Sequence, residues 1–350
     1  MRVGVFTGGG DCPGLNAVIR AIVRRTIGKY GGEVVGFRYG WAGMIEGNSL
    51  PLGIDQVSGI LPRGGTILGT SRTNPYKIDG GPQKIHQTSK KLGLDGIIAV
   101  GGEDTLGVAC RLYDEGLPVV GVPKTIDNDI AGTDYTFGFD TAVHIATEAI
   151  DRLHTTAESH NRVVVVEVMG RQTGWIAVKA GIAGGADLIL IPEVPFTFAE
   201  ICEVIERRHS RGKNFSILVV AEGAEFPKDG EDDGEEAGQV VSRSGTDAFG
   251  HVQLGGIGNK LARAIEKRTG YETRVSVLGY VQRGGTPTAF DRVLGTRFGV
   301  VASDLVHAGQ FGKMTSLQGD RVIPIEMLHA TKNLKRVDSE LFDVARTFFG

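Results

Sequence analysis

Short apolar runs along this 350-residue chain repeatedly end in glycine-bearing loops and give way to apolar residues at helical spacing, a pattern that few folds can satisfy. Val3–Thr7 breaks at Gly8-Gly9-Gly10-Asp11-Cys12-Pro13-Gly14, and Leu15–Tyr30 then carries Val18, Ile19, Ile22 and Val23 at the period of a helix. Gly96–Val100 breaks at Gly101-Gly102-Glu103-Asp104-Thr105 before a helical stretch at Leu106–Glu115, and Val119–Val122 feeds directly into Pro123–Asp129. The strand Arg162–Val168 ends in Met169-Gly170-Arg171-Gln172-Thr173-Gly174, which opens another helix. Glu33–Phe37, Leu188–Ile191, Phe215–Ala221 and Arg274–Leu278 complete the expected strands, with helices at Thr141–Ser159, Phe198–Ser210 and Gly258–Thr269. Strand–loop–helix units in series predict an α/β fold with mainly parallel sheets and helices on both faces. Such sheets bind ligands beyond the carboxyl ends of their strands, so the loops are where chemistry is expected.

The loop after Val122 is the richest of them. Lys124, Thr125, Asp127 and Asp129 put a cation, a hydroxyl and two carboxylates within six positions. Those are the parts of a phosphoryl-transfer site: lysine neutralises phosphate oxygens, one carboxylate holds magnesium and another accepts a proton from the attacking hydroxyl. The glycine run Gly8–Gly10 lets backbone N–H groups approach a phosphate and is followed by a helix N-terminus, although a plain βα turn would read the same way. Arg72, beside Thr70 and Ser71 in a glycine-rich loop, and Arg171 are further candidates to grip an anion. Glu103 or Asp104 alone could simply cap a helix.

The remaining composition narrows the class of partner. A net charge of −3 provides no bulk basic field, which makes nucleic acid an unlikely partner and leaves anions to local clusters. Cys12, Cys110 and Cys202 are odd in number and widely spaced, which fits a reducing compartment rather than a disulfide framework or zinc site, and Cys12 reads as a small buried filler. No segment reaches the roughly 18 apolar residues of a membrane span and the N-terminus has no signal-peptide pattern, so no membrane association and a cytoplasmic location are expected. Residues 226–250 form a polar insert with the run Glu231-Asp232-Asp233-Gly234-Glu235-Glu236, expected to be a solvated loop.

Together these motifs resemble the 6-phosphofructokinase family over nearly the whole chain. The residues that carry the resemblance are Gly8–Asn16, Pro123–Asp129, Met169-Gly170-Arg171 and Gln282-Arg283-Gly284-Gly285, in the family's order. It implies two Rossmann-like lobes with the active site in the cleft between them. Residues 1–138 with about 282–332 would form a phosphoryl-donor lobe, and 139–281 with about 333–350 a sugar-phosphate lobe carrying the insert. By resemblance, Asp127 is the base that deprotonates the 1-hydroxyl of fructose 6-phosphate, and Glu103 and Asp129 lie around Mg2+. Lys124, Thr125 and Arg171 would act on the transferred group, while Met169, Gly170 and Glu222 contact the sugar. Arg162, Arg274 and Arg283 would grip its 6-phosphate. In the family Arg162 and Arg274 reach in from a neighbouring subunit, so a homodimer or homotetramer with shared active sites is implied. Tyr280 stands where many bacterial members carry histidine, and can donate a hydrogen bond but no charge.

The donor loops, with Gly10, Arg72, Gly102, Asp104, Thr105 and Lys124, bear on which donor is used. Nucleotide-using members usually have glycine where this chain has Asp104, and many have glycine at Lys124. A carboxylate at 104 fills and repels the space the α-phosphate of ATP needs, whereas Lys124 can pair with the terminal charge of pyrophosphate. The pair resembles the pyrophosphate-dependent branch of the family, with a reversible reaction and Mg2+ as the expected metal. The alternatives are an ATP-dependent enzyme in which Asp104 turns outward to cap the helix at Thr105, a related kinase acting on NAD or lipid, and a non-catalytic sugar-phosphate sensor. An effector cleft would draw on Arg20, Arg24, Arg211, Lys213 and Asp187. Ile54 and His154 replace arginines usual there, so weak or no nucleotide regulation is expected.

Overall fold

The computed structural model describes residues 1–228 and 237–350. From the N-terminus run β1 (Arg2–Thr7), α1 (Leu15–Tyr30), β2 (Glu33–Phe37), α2 (Trp41–Glu46), β3 (Ser49–Pro51), α3 (Gly81–Leu92), β4 (Gly96–Gly101), α4 (Glu103–Asp114) and β5 (Val119–Pro123). Next come α5 (Phe139–His160), β6 (Val163–Val168), α6 (Trp175–Ala183), β7 (Leu188–Leu190), α7 (Phe198–Ser210) and β8 (Ser216–Ala221). Short strands β9 (Glu225–Phe226), β10 (Gly238–Gln239), β11 (Val241–Thr246) and β12 (Val252–Leu254) precede α8 (Ile257–Thr269) and β13 (Thr273–Val277). The chain closes with α9 (Ala289–His307), β14 (Lys313–Gln318), β15 (Arg321–Glu326), α10 (His329–Lys332) and α11 (Ser339–Arg346).

Two compact units result: Met1–Thr141 with Asp247–His251 and Arg283–Lys335, and Ala142–Thr246 with Val252–Gln282 and Arg336–Gly350. The first holds a seven-stranded sheet ordered β15-β14-β5-β4-β1-β2-β3. Its central pairs are parallel, and only the edge pairs β14/β15 and β2/β3 are antiparallel. Every residue of β4 and β5 is buried, as expected of strands covered on both faces by helices. The chain leaves β1 for β2 on one side and later returns to place β4 on the other. The order therefore reverses between β1 and β4, the kind of position at which open α/β sheets receive their ligands. Phe6, Phe37, Trp41, Ile97, Leu106 and Met314 lie in its core. Helices α1 and α9 approach closely because Gly299 has no side chain; a Cβ there would lie 2.6 Å from the Val18 carbonyl oxygen.

The second unit is built on a wholly parallel sheet ordered β13-β6-β8-β7. Glu167 on β6 is a charged side chain buried in this unit. Its carboxylate accepts the N–H groups of Gly256 (2.9 Å) and Gly258 (2.8 Å) and so satisfies the start of α8, which has no side-chain cap of its own.

Two expectations need correction. The insert is not simply a loop: among its described residues β9 pairs with β10 and β11 with β12, both antiparallel, while the acidic run at 231–236 lies outside the described residues. Residues 247–251 belong to the first unit rather than travelling with the second. Also, α4 starts at Glu103, three residues before the apolar spacing begins. Its first turn is acidic, which suits the positive end of a helix but carries no hydrophobic period.

Candidate active site

In the first unit the loops after β1, β4 and β5 are tied together by their backbones. The Gly8 N–H donates to the Val100 carbonyl (2.9 Å), the Gly9 N–H to Ser71 (3.0 Å), and the Lys124 N–H to Gly101 (2.9 Å). Gly10 lets Arg283 approach closely: a Cβ would sit 2.7 Å from Arg283 Nη1, and the guanidinium would have to shift. Arg283 is buried and donates through Nη1 to the Asp11 carbonyl (3.3 Å). The structure thus groups Arg283 with Gly10 in the first unit, whereas Arg162 and Arg274, its expected companions, lie in the second.

Lys124 is only 3% exposed, and its Nζ donates to the Gly10 carbonyl at 2.5 Å. Burial lowers its pKa, because the ammonium has lost its water, and the nearby Arg283 guanidinium acts in the same direction. A cation in that position gains by meeting an anion. The thiol of fully buried Cys12 is pushed up by burial and donates to the Phe137 carbonyl at 3.6 Å, so Cys12 serves as packing.

Thr125 and Asp127 lock one another. The Asp127 N–H donates to Thr125 Oγ1 (3.0 Å), and that hydroxyl donates to Asp127 Oδ2 (3.1 Å). Asn128 follows with a left-handed backbone (φ 53°), and its Oδ1 accepts the Thr136 N–H (3.1 Å), so the chain turns between the carboxylates Asp127 and Asp129, both buried. Asparagine is one of the few residues that take this conformation at modest cost. Glu103 and Asp104 stand in the first turn of α4. Thr105 is buried against Gly8 and Gly101. Gly102, in extended conformation, leads into the helix.

Two of the expected donor residues have partners no sequence pattern revealed. Asp104 Oδ1 meets His251 Nε2 at 2.9 Å, and Arg72 Nη1 donates to Asp247 Oδ2 at 3.2 Å. Asp104 therefore neither caps α4 by itself nor points away unpartnered.

The second unit assembles its own polar set at the carboxyl ends of β6, β8 and β13. Glu222 Oε1 accepts the N–H groups of Gly170 (3.3 Å) and Arg171 (3.0 Å), while the Met169 N–H donates to the side chain of buried Gln282 (3.3 Å). Arg171 is left-handed (φ 52°), which is uncommon for a non-glycine residue and marks a backbone held in place by its surroundings. At the opposite, amino ends of β6 and β13, Arg162 donates to Glu272 Oε1 at 2.8 Å and Arg274 meets the same carboxylate, whose pKa is lowered chiefly by the Arg162 hydrogen bond. Glu272 thus gathers two guanidinium groups, a role the sequence reading missed. Tyr280 is 78% exposed. Of the residues considered for an effector cleft, Asp187 pairs with Arg208 (2.7 Å), Arg211 donates to the Gly350 carbonyl (3.0 Å) and His154 Nε2 contacts the Gly184 carbonyl (2.7 Å).

A hard cation fits the first unit's donor set. Glu103 and Asp129 follow adjacent parallel strands paired through Gly101 and Pro123. Magnesium typically takes one or two carboxylates and completes its shell with water and phosphate oxygens. Among the described residues no group of three or more His, Cys, Asp or Glu side chains forms a metal cage, and no helix is long and apolar enough to cross a membrane.

A sequence profile described as Phosphofructokinase matches residues 2–306. The chain is 60% identical over 351 aligned residues, covering 100% of both sequences, to a pyrophosphate–fructose 6-phosphate 1-phosphotransferase of Amycolatopsis methanolica. It is 54% identical, over 96% of each chain, to an ATP-dependent 6-phosphofructokinase of Streptomyces coelicolor. Among solved structures, phosphofructokinase of Pichia pastoris in the T-state superimposes with a TM-score of 0.82 at 29% identity; the match covers 99% of this chain and 36% of that longer one.

Proposed function

Because this chain belongs to the phosphofructokinase family, we propose that it transfers a phosphoryl group from pyrophosphate to the 1-hydroxyl of fructose 6-phosphate. The products are fructose 1,6-bisphosphate and phosphate, and the reaction is reversible. The observation that carries the choice of donor is that the chain has both a buried Lys124, aimed at Gly10, and a carboxylate, Asp104, in the first turn of α4. A compact dianionic donor satisfies the lysine, whereas the α-phosphate of a nucleotide would meet the Asp104 charge. The relatives at 58–60% identity over the whole chain are named for the same donor, which supports this reading.

Each group has a task in this reaction. Lys124 neutralises donor oxygens at the loop after β1, and Arg72, Gly10, Gly102 and Thr105 shape that end of the site. Asp127, steadied by the Thr125 hydroxyl, takes the proton from the sugar O1 as the O1–P bond forms and the P–O–P bond breaks. The leaving phosphate carries the electron pair of the broken bond. Arg171 offsets charge on the transferred group. Glu222, Met169 and Gly170 orient the sugar, and Tyr280, together with Arg162 and Arg274 reaching in from a neighbouring subunit, holds the 6-phosphate, for which planar multi-donor guanidinium groups are well suited. Arg283 joins the groups that hold the 6-phosphate from its place beside Gly10. Glu103 and Asp129 would hold magnesium, which when bound spreads the charge of the phosphate oxygens.

The same reading includes a homodimer or homotetramer acting in the cytoplasm with sites shared between subunits. The exposed apolar side chains Val277 and Val281, around the 78% exposed Tyr280, support a self-contacting surface. The decisive chemistry is the reverse reaction. With fructose 1,6-bisphosphate, magnesium and inorganic phosphate, the protein should release pyrophosphate and fructose 6-phosphate without any nucleotide. Reverse turnover that requires ADP and ignores phosphate would instead establish the ATP-dependent reading, and sugar-phosphate binding without turnover in either direction would establish a sensor.

A further inference from the structure

We propose that the turn Asp247–His251 is a donor-positioning clamp, holding Arg72 and Asp104 in the arrangement that admits a diphosphate. The turn organises itself first. Asp247 Oδ1 accepts the backbone N–H groups of Phe249 (2.9 Å) and His251 (3.0 Å), and the Asp247 N–H donates to the His251 carbonyl (3.0 Å). With Oδ1 occupied by its own turn, the carboxylate presents Oδ2 to Arg72 at 3.2 Å. At the other end of the turn His251 Nε2 meets Asp104 Oδ1 at 2.9 Å. Between them Phe249 packs against the apolar cluster of the first unit that contains Phe6, Phe37 and Trp41. An aromatic anchor thus fixes the turn, and its two polar side chains both end on donor residues.

The geometry fits positioning rather than bare stability. The Asp247 contact uses only Nη1 of Arg72, and a guanidinium carries five N–H donors in a rigid fork, so an arginine held on one side is pre-oriented for phosphate oxygens on another. The hydrogen bond to His251 restricts where the Asp104 carboxylate can swing. Pre-organising both groups removes the ordering cost that donor binding would otherwise carry. Asp247 and His251 act through Arg72 and Asp104, and are positioning residues rather than catalytic ones.

The inference rests on the donor reading above for the identity of the anion, and its test separates the two. In the full-length enzyme, His251→Ala should raise KM for pyrophosphate about 10-fold while leaving KM for fructose 6-phosphate within about twofold, by loss of pre-organisation alone. His251→Gln, which keeps a hydrogen-bond donor, should recover most of that loss. In an Asp104→Ala background, which removes the acceptor, His251→Ala should have little further effect, the mark of two groups acting as a unit. Asp247→Asn should likewise weaken binding of methylenediphosphonate, a non-transferable pyrophosphate analogue, measured calorimetrically. Equal rises in both KM values, or an unchanged pyrophosphate KM in His251→Ala, would overturn the clamp. If the wild-type protein used ATP and not pyrophosphate, the donor reading would fail; the clamp would then stand only if His251→Ala moved KM for ATP and spared the sugar, and would fall otherwise.

Discussion

In the proposed reaction Asp127 is the side chain on which turnover would depend most directly. A positioned general base contributes about 10²–10⁴-fold in rate, so Asp127→Asn should lower kcat by that order while KM for either substrate stays within a few-fold. A variant that folds like the parent and keeps near-parental kcat would remove Asp127 from the mechanism. Its neighbour Asn128 carries the backbone cost of the loop. Asn128→Ala would hold a β-carbon in the left-handed region without the polar side chain that makes asparagine tolerable there, and would lose the acceptor for Thr136, for a combined destabilisation of about 2–3 kcal/mol. Asn128→Gly loses only the hydrogen bond and should cost about 1 kcal/mol. Urea melts that rank alanine at or above glycine would show that the left-handed turn is not what Asn128 is there for. The side chains within Pro123–Asp129 were legible in the sequence because they are contiguous and chemically distinctive. His251 and Asp247 were not, because their meaning lies in contacts to Asp104 and Arg72, 147 and 175 residues away along the chain.

At the scale of elements, the strand–loop–helix series was readable because each strand and helix carries its own apolar period. Helix α1 occupies the predicted Leu15–Tyr30, closed by Gly31 in the left-handed conformation, with the Gly31 N–H on the Ile27 carbonyl and the Gly32 N–H on that of Thr26. What escaped was polar. The first turn of α4, the strands of the insert and the capping of α8 by Glu167 have no hydrophobic signature. Helix α9 offers a test of such buried polar contacts. Asp291, in its first turn, accepts both the Thr141 N–H (2.8 Å) and its hydroxyl (2.5 Å). Burial lifts the Asp291 carboxyl from 3.8 to about 6, against the opposing hydrogen bonds of Thr141. The folded chain therefore keeps a proton that the unfolded chain gives up between those values. This contribution is full below pH 3.8 and is lost as pH rises through about 6. The gap corresponds to about 3 kcal/mol. Relative to Asp291→Asn, the parent should lose about that much stability between pH 4 and pH 7 in denaturant titrations, and a constant difference would contradict the assignment.

For the whole molecule, the exposed cluster of Val277, Tyr280 and Val281 predicts self-association. Sedimentation should give a dimer or tetramer, and Val281→Glu should shift it toward monomer with loss of turnover. A wild-type monomer at full activity would exclude shared sites. The central claim, however, concerns the donor, and residue 104 decides it. The most direct measurement is kcat/KM for pyrophosphate and for ATP, with fructose 6-phosphate, in the wild-type protein and in Asp104→Gly. The account predicts a preference for pyrophosphate of at least about 10³-fold in the wild type, as expected when a fixed charge opposes the competitor. Asp104→Gly should narrow that ratio through a gain in ATP use. Efficient ATP turnover by the wild-type enzyme with no pyrophosphate activity would contradict it.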